Sequence, residues 1–124
     1  MPFKVSYDAE SDCIIASIEG EIDFELLEEL AAEVVRLSTA HNCRRILNDL
    51  SKAVMKLSTL NIYDIPKLLK DAGLRQDCLR AIVVAKDFDD YAFFMTVSKN
   101  RGQLVELFRD IDEAKRWLAT AGGK

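Results

Sequence analysis

The sequence predicts an α/β domain built on a mostly parallel five-stranded sheet, with an antiparallel first strand and about four helices. Two observations point there. Segments of strand composition alternate with segments whose apolar residues recur at helical spacing, and the run Leu79 to Ala85 (LRAIVVA) has the length and near-continuous apolarity of a strand covered on both faces. Such alternation implies right-handed crossovers between parallel strands, with helices lying on the sheet. At 124 residues the chain fits one domain spanning 1–124, without an internal repeat, linker or low-complexity tract.

Phe3 to Tyr7 alternates apolar and polar residues, Asp8 to Asp12 supplies turn formers, and Cys13 to Ile18 resumes strand composition, so an antiparallel hairpin opens the chain. After Gly20, Asp23 to Leu37 places Leu26, Leu27, Leu30, Ala31, Val34 and Val35 at helical spacing, opposite Glu25, Glu28, Glu29, Glu33 and Arg36. His41 and Asn42 close that helix, because Asn tolerates the left-handed conformation common at helix ends. Arg44 to Leu50 is the third strand. The Leu- and Ile-rich helix after it ends at Asp71-Ala72-Gly73, with Gly73 as its C-terminal cap, and Pro66 divides the segment into a short turn from Ser58 and a helix from about Asp64. A helix from Asp87 to about Asn100, a strand over Gln103 to Phe108 and a last helix opened by the capping pair Asp110 and Glu113 complete the order β-β-α-β-α-β-α-β-α.

A net charge of −4 and a pI near 5.0 argue against nucleic acid as a partner, which needs a clustered cationic face. No apolar run approaches the ~20 residues that span a bilayer, and MPFKVSYD has no signal-peptide core, so a cytoplasmic protein that does not span the membrane is expected. Cys13, Cys43 and Cys78 are odd in number and widely spaced, which suits reduced, part-buried thiols better than a disulfide framework or zinc site. His41 beside Cys43 is poor spacing for a nucleophile and its base, and the acids of Asp87-Phe88-Asp89-Asp90 suit a helix's first turn better than a metal loop. Neither catalysis nor a cofactor is expected.

Three phrases carry a family resemblance: NDLS at the end of the third strand, KNRGQLVELF across the fourth helix-to-strand join, and FRDIDEAKRWL leading into the last helix. With the element order, they make the chain resemble the STAS superfamily (sulphate transporter and anti-sigma factor antagonist), in its SpoIIAA-like branch of small stand-alone bacterial proteins. The resemblance implies a STAS-like fold and a non-enzymatic regulatory role exercised on a protein partner. In anti-sigma factor antagonists a Ser inside an Asp-Ser-Ser-Gly-like motif is phosphorylated by the partner kinase. Counted on from Asp49 and Ser51, that motif falls on Leu57-Ser58-Thr59-Leu60, which keeps the hydroxyls and replaces the acid and the Gly by Leu. Ser58, Thr59, Asp49 and Ser51 are therefore the expected modification or partner-contact residues.

Each has a structural alternative. Ser58 or Thr59 can cap the helical turn that follows, an interaction whose loss typically costs ~1 kcal/mol, and Asp49 with Ser51 reads as a strand-end turn. Leu57, Leu60, Ile62, Tyr63 and Ile65, with Leu68 and Leu69, are more apolar residues than one face of a surface helix needs. Either both sides of that segment pack, or it forms a groove for a lipid-like apolar molecule, and a small carrier is the second functional reading. On the helix DYAFFMTVSKN, Phe88, Tyr91, Ala92 and Met95 share the expected buried face. Phe93 and Val97 fall opposite, where they would form a self-association surface and a homodimer.

Overall fold

A computed structural model describes residues 3–55, 67–74, 77–85, 88–100 and 104–121. Strands β1 (Phe3–Asp8), β2 (Cys13–Ile22), β3 (Arg45–Met55), β4 (Leu79–Val83) and β5 (Leu104–Phe108) form one sheet in the order β1-β2-β3-β4-β5. β1 pairs antiparallel with β2, and every later pair is parallel. Helix α1 (Phe24–His41) links β2 to β3, the helical residues 67–71 (α2) precede β4, α3 (Phe88–Asn100) links β4 to β5, and α4 (Ile111–Ala121) follows β5. The predicted order is the observed one.

Local chemistry sets the helix ends. The Asp23 carboxylate accepts the Leu26 amide at 2.8 Å, satisfying one of the amides that a helix start leaves without a partner. At the other end of α1, Asn42 sits at φ 48°, with its amide on the Thr39 carbonyl and the Cys43 amide on that of Ser38. Gly73, at φ +100°, repeats this arrangement after α2, where its amide reaches the Lys70 carbonyl and the Leu74 amide that of Leu69. Both are Schellman closures, which need a residue that accepts the left-handed conformation.

The helices divide unequally between the faces. Leu26, Leu30 and Val34 of α1 pack on Ile14, Ala16, Ile18 and Ile46, and Met95 and Val97 of α3 pack on Ile82, Val84 and Val105 of the same face. Leu69 of α2 joins the second group. On the other face, Ala114 and Leu118 of α4 cover Cys13, Leu47, Leu79, Ala81 and Val83. The continuous burial of β4 follows from this cover on both sides, as the LRAIVVA run predicted.

Three details correct the reading of the sequence. β2 runs on through Gly20 to Ile22, with Gly20 at φ +89° inside the strand, and β3 runs to Met55 rather than stopping at Leu50. The two extensions pair with each other, which is why polar residues beyond the expected ends stay extended. Val97 is 5% exposed and packed with Met95 and Val105, so it does not join Phe93 on the outer face; β5, arriving beside the last turn of α3, encloses it. Phe93 itself is 40% exposed, as expected.

Leu47 lies on the face that, among the described residues, α4 alone covers, and has no solvent exposure. Leu47→Ala is expected to destabilise the domain by about 2–5 kcal/mol, because a partly collapsed cavity adds to the lost transfer energy, and urea unfolding followed by circular dichroism would measure it.

Candidate functional site

In open α/β sheets, ligands and partners are commonly received outside the carboxyl ends of the parallel strands. Here that end is uneven. β3 and β4 stay in register only as far as Asp49 opposite Val83, after which β3 continues beside β2 alone. Asp49 and Ser51 lie where the strands part company. One Asp49 carboxylate oxygen accepts the Ser51 amide at 3.1 Å and the Ser51 hydroxyl at 2.7 Å. The two residues are thus brought together as the sequence suggested, but inside a strand and not in a strand-end turn. Ser58, Thr59, Leu57, Leu60, Ile62, Tyr63 and Ile65 lie outside the described residues.

Beside this end, a cavity of about 510 Å³ opens between the start of α1 and α2. Phe24, Glu28, Lys67, Leu68, Asp71 and Ala72 line it, and Lys67 bridges to Asp71 at 3.2 Å. Its volume falls within the roughly 300–1,000 Å³ of small-molecule sites, and its described lining mixes apolar and charged groups.

The opposite end of the sheet carries a denser polar network than the sequence suggested. The Tyr7 hydroxyl donates to Asp12 at 2.7 Å, and the Arg45 guanidinium reaches the other oxygen of that carboxylate at 2.9 Å. Arg45 also donates to the Leu118 carbonyl at 3.1 Å, capping the carboxyl-terminal turn of α4. The His41 ring stacks on Tyr7 with centroids 4.0 Å apart. The Cys43 sulphur points at the carbonyls of Asp12 and Arg45, and burial pushes its thiol pKa up, a direction opposite to that of an activated nucleophile. Cys13 is likewise pushed up by burial. The Ser11 hydroxyl holds the Asp8 carboxyl below its ordinary range, aided by the Glu10 amide and Lys115 and opposed by partial burial. The contacts of Arg45 could not be read from spacing, since Asp12 and Leu118 lie 33 and 73 residues away from it in the chain.

Arg80 was hidden differently, inside the apolar run that identified β4. It is 6% exposed, and burial pushes its pKa down to about 10, so it remains a cation at neutral pH. A basic residue within such a run was the available signal.

No protein-family model matches the sequence, and no curated protein does. Solved structures do. The chain has a SpoIIAA-like α/β fold. It is similar to an anti-sigma factor antagonist from Mycobacterium paratuberculosis at 19% identity and TM-score 0.58, covering 90% of each chain. An uncharacterised protein of the DUF3478 family from Shewanella loihica, with a SpoIIAA-like fold, aligns at 18% identity and TM-score 0.61 over 94% of this chain and 93% of that one. SpoIIAA in its unphosphorylated form, an anti-sigma factor antagonist, aligns at 12% identity and TM-score 0.55 over 94% and 96%. Among the described residues no helix is long and apolar enough to cross a membrane.

Because Tyr7 donates to the Asp12 carboxylate, its pKa lies above the ordinary tyrosine value. The phenol of the folded state therefore keeps its proton after the unfolded chain, at about 10, has lost it. The resulting stabilisation is complete below pH ~10 and is lost as pH rises through the folded-state pKa. In a spectrophotometric titration at alkaline pH, one tyrosine is expected to ionise late, and Tyr7→Phe should remove that component.

Proposed function

We propose that the chain is a non-enzymatic regulatory module of the bacterial cytoplasm that binds a protein partner through the segment from Asp49 to Tyr63. Ser58 is the residue modified or contacted, with Thr59, Asp49 and Ser51 beside it. The observation that carries this reading is the SpoIIAA-like fold, shared with two anti-sigma factor antagonists, one of them described in its unphosphorylated form. In that frame β3 ends at Met55, three positions before Ser58. A phosphate on Ser58 would add a charge of about −1.5 to −2, and an acidic partner surface would then be repelled. Leu57 and Leu60, standing where the related motif has an acid and a Gly, suit a partner surface more apolar than that of an anti-sigma factor kinase.

A second reading has its own support in the cavity of about 510 Å³ beside α2. The apolar run Leu57, Leu60, Ile62, Tyr63 and Ile65 precedes α2 in the sequence, which supports a small carrier of a lipid-like apolar molecule.

Native mass spectrometry of the protein purified gently from its own host, followed by peptide mapping, separates the two. The regulatory reading expects a fraction carrying one phosphate at Ser58, abolished by Ser58→Ala without a change in the urea midpoint. A wholly unmodified Ser58 together with a co-purifying lipid would replace it with the carrier.

A further inference from the structure

The Asp49–Ser51 contact has a role that needs neither a phosphate nor a partner. β2 and β3 pair with a constant offset from Ile14 opposite Ile46 to Ser17 opposite Asp49, but the next pair is Glu19 opposite Lys52. Ile18 therefore stands against two residues, Leu50 and Ser51, and β3 carries a one-residue bulge. The step changes which residues face the core. With the bulge, Gly20 pairs with Ala53 and Ile22 with Met55, and Ala53 is buried at 3% exposure while Lys52 lies in solvent near Glu19. Without it, the earlier offset would set Lys52 against Gly20 and Val54 against Ile22, and a one-residue slip exchanges the two faces of a strand. The ammonium of Lys52 would turn toward the side where Ile18 and Ile22 are buried, and Ala53 would turn out.

The Asp49 carboxylate closes across this step. It takes the Ser51 amide and the Ser51 hydroxyl on one oxygen, at 3.1 and 2.7 Å, so the amide of a bulge residue is satisfied by a side chain. We infer that Asp49 and Ser51 form a register clasp, positioning residues that hold the bulge and so decide which side chains of residues 52–55 face the core. The clasp acts on the strand leading to Ser58, yet the inference stands whether or not Ser58 is modified, since it rests on β2 and β3 alone.

The test is backbone NMR on the labelled full chain, reading cross-strand contacts between β2 and β3. The wild type is expected to link Glu19 with Lys52 and Gly20 with Ala53. Asp49→Ala should lose these contacts, or replace them with contacts one residue earlier on β3, while the links between Ile46 and Arg80 and between Leu47 and Ala81 persist. Asp49→Asn keeps a side-chain carbonyl acceptor and should keep the wild-type register. An unchanged register in Asp49→Ala overturns the clasp, and so does an Asp49→Asn variant as disturbed as the alanine one. Should Asp49→Ala fail to fold, hydrogen exchange in the wild type decides: a Ser51 amide protected well below its unstructured-peptide rate supports the clasp, and an unprotected one refutes it.

Discussion

The pairing of β2 with β3 is the constraint on which the other elements depend. It is the longest parallel pairing in the sheet, it anchors the antiparallel β1 on one side and β4 on the other, and both of its strands extend past the end of β4. Parallel neighbours cannot be joined by a tight turn, so the chain must cross over the sheet between them, and α1 performs that crossing. Once α1 lies on Ile14, Ala16, Ile18 and Ile46, the space left on that face is taken by α2 and α3. The other face is left to α4. The distribution of helices, three against one, follows from the order of the strands and the hand of their connections.

Much of this was legible in the sequence because the signals were local. Asn42 after an amphipathic run and Gly73 after the next helix each specify a left-handed backbone conformation that few residues supply cheaply. LRAIVVA betrayed a doubly covered strand by its apolarity alone, although Arg80 within it went unremarked. What stayed hidden depended on partners remote in the chain. Ser51 and Lys52 look like the end of a strand, and only the facing Glu19 to Ile22 keeps them extended. Val97 looked exposed on a helical wheel because the wheel knows one sheet and not the strand that returns beside the helix. The network of Tyr7, Asp12, Arg45 and Leu118 joins β1, the β1–β2 turn, β3 and α4, and no spacing rule connects Arg45 to its partners. Of the candidate site, the nearness of Asp49 to Ser51 could be read from the sequence, but its setting inside a bulged strand could not.

Low identity with a shared fold is what this physics leads one to expect. The solved structures that align with this chain keep 12 to 19% of its residues over about nine-tenths of its length. A sheet covered on both faces asks for apolar residues of roughly suitable volume and for a few special turn residues, and many sequences meet that demand. Function is specified more narrowly, by the side chains at the carboxyl ends of the strands.

The solitary cover provided by α4 bears on how the protein is made. Each strand pairs with its predecessor in the chain, so the sheet can grow on the ribosome in the order of synthesis. The helix that shields Leu47, Leu79, Ala81 and Val83 comes after all five strands. Until it emerges and Arg45 grips the carbonyl of Leu118, the nascent sheet shows an oily face to solvent. That interval is when chaperone capture or misassociation with another nascent chain competes with folding, and it closes only when the final helix docks.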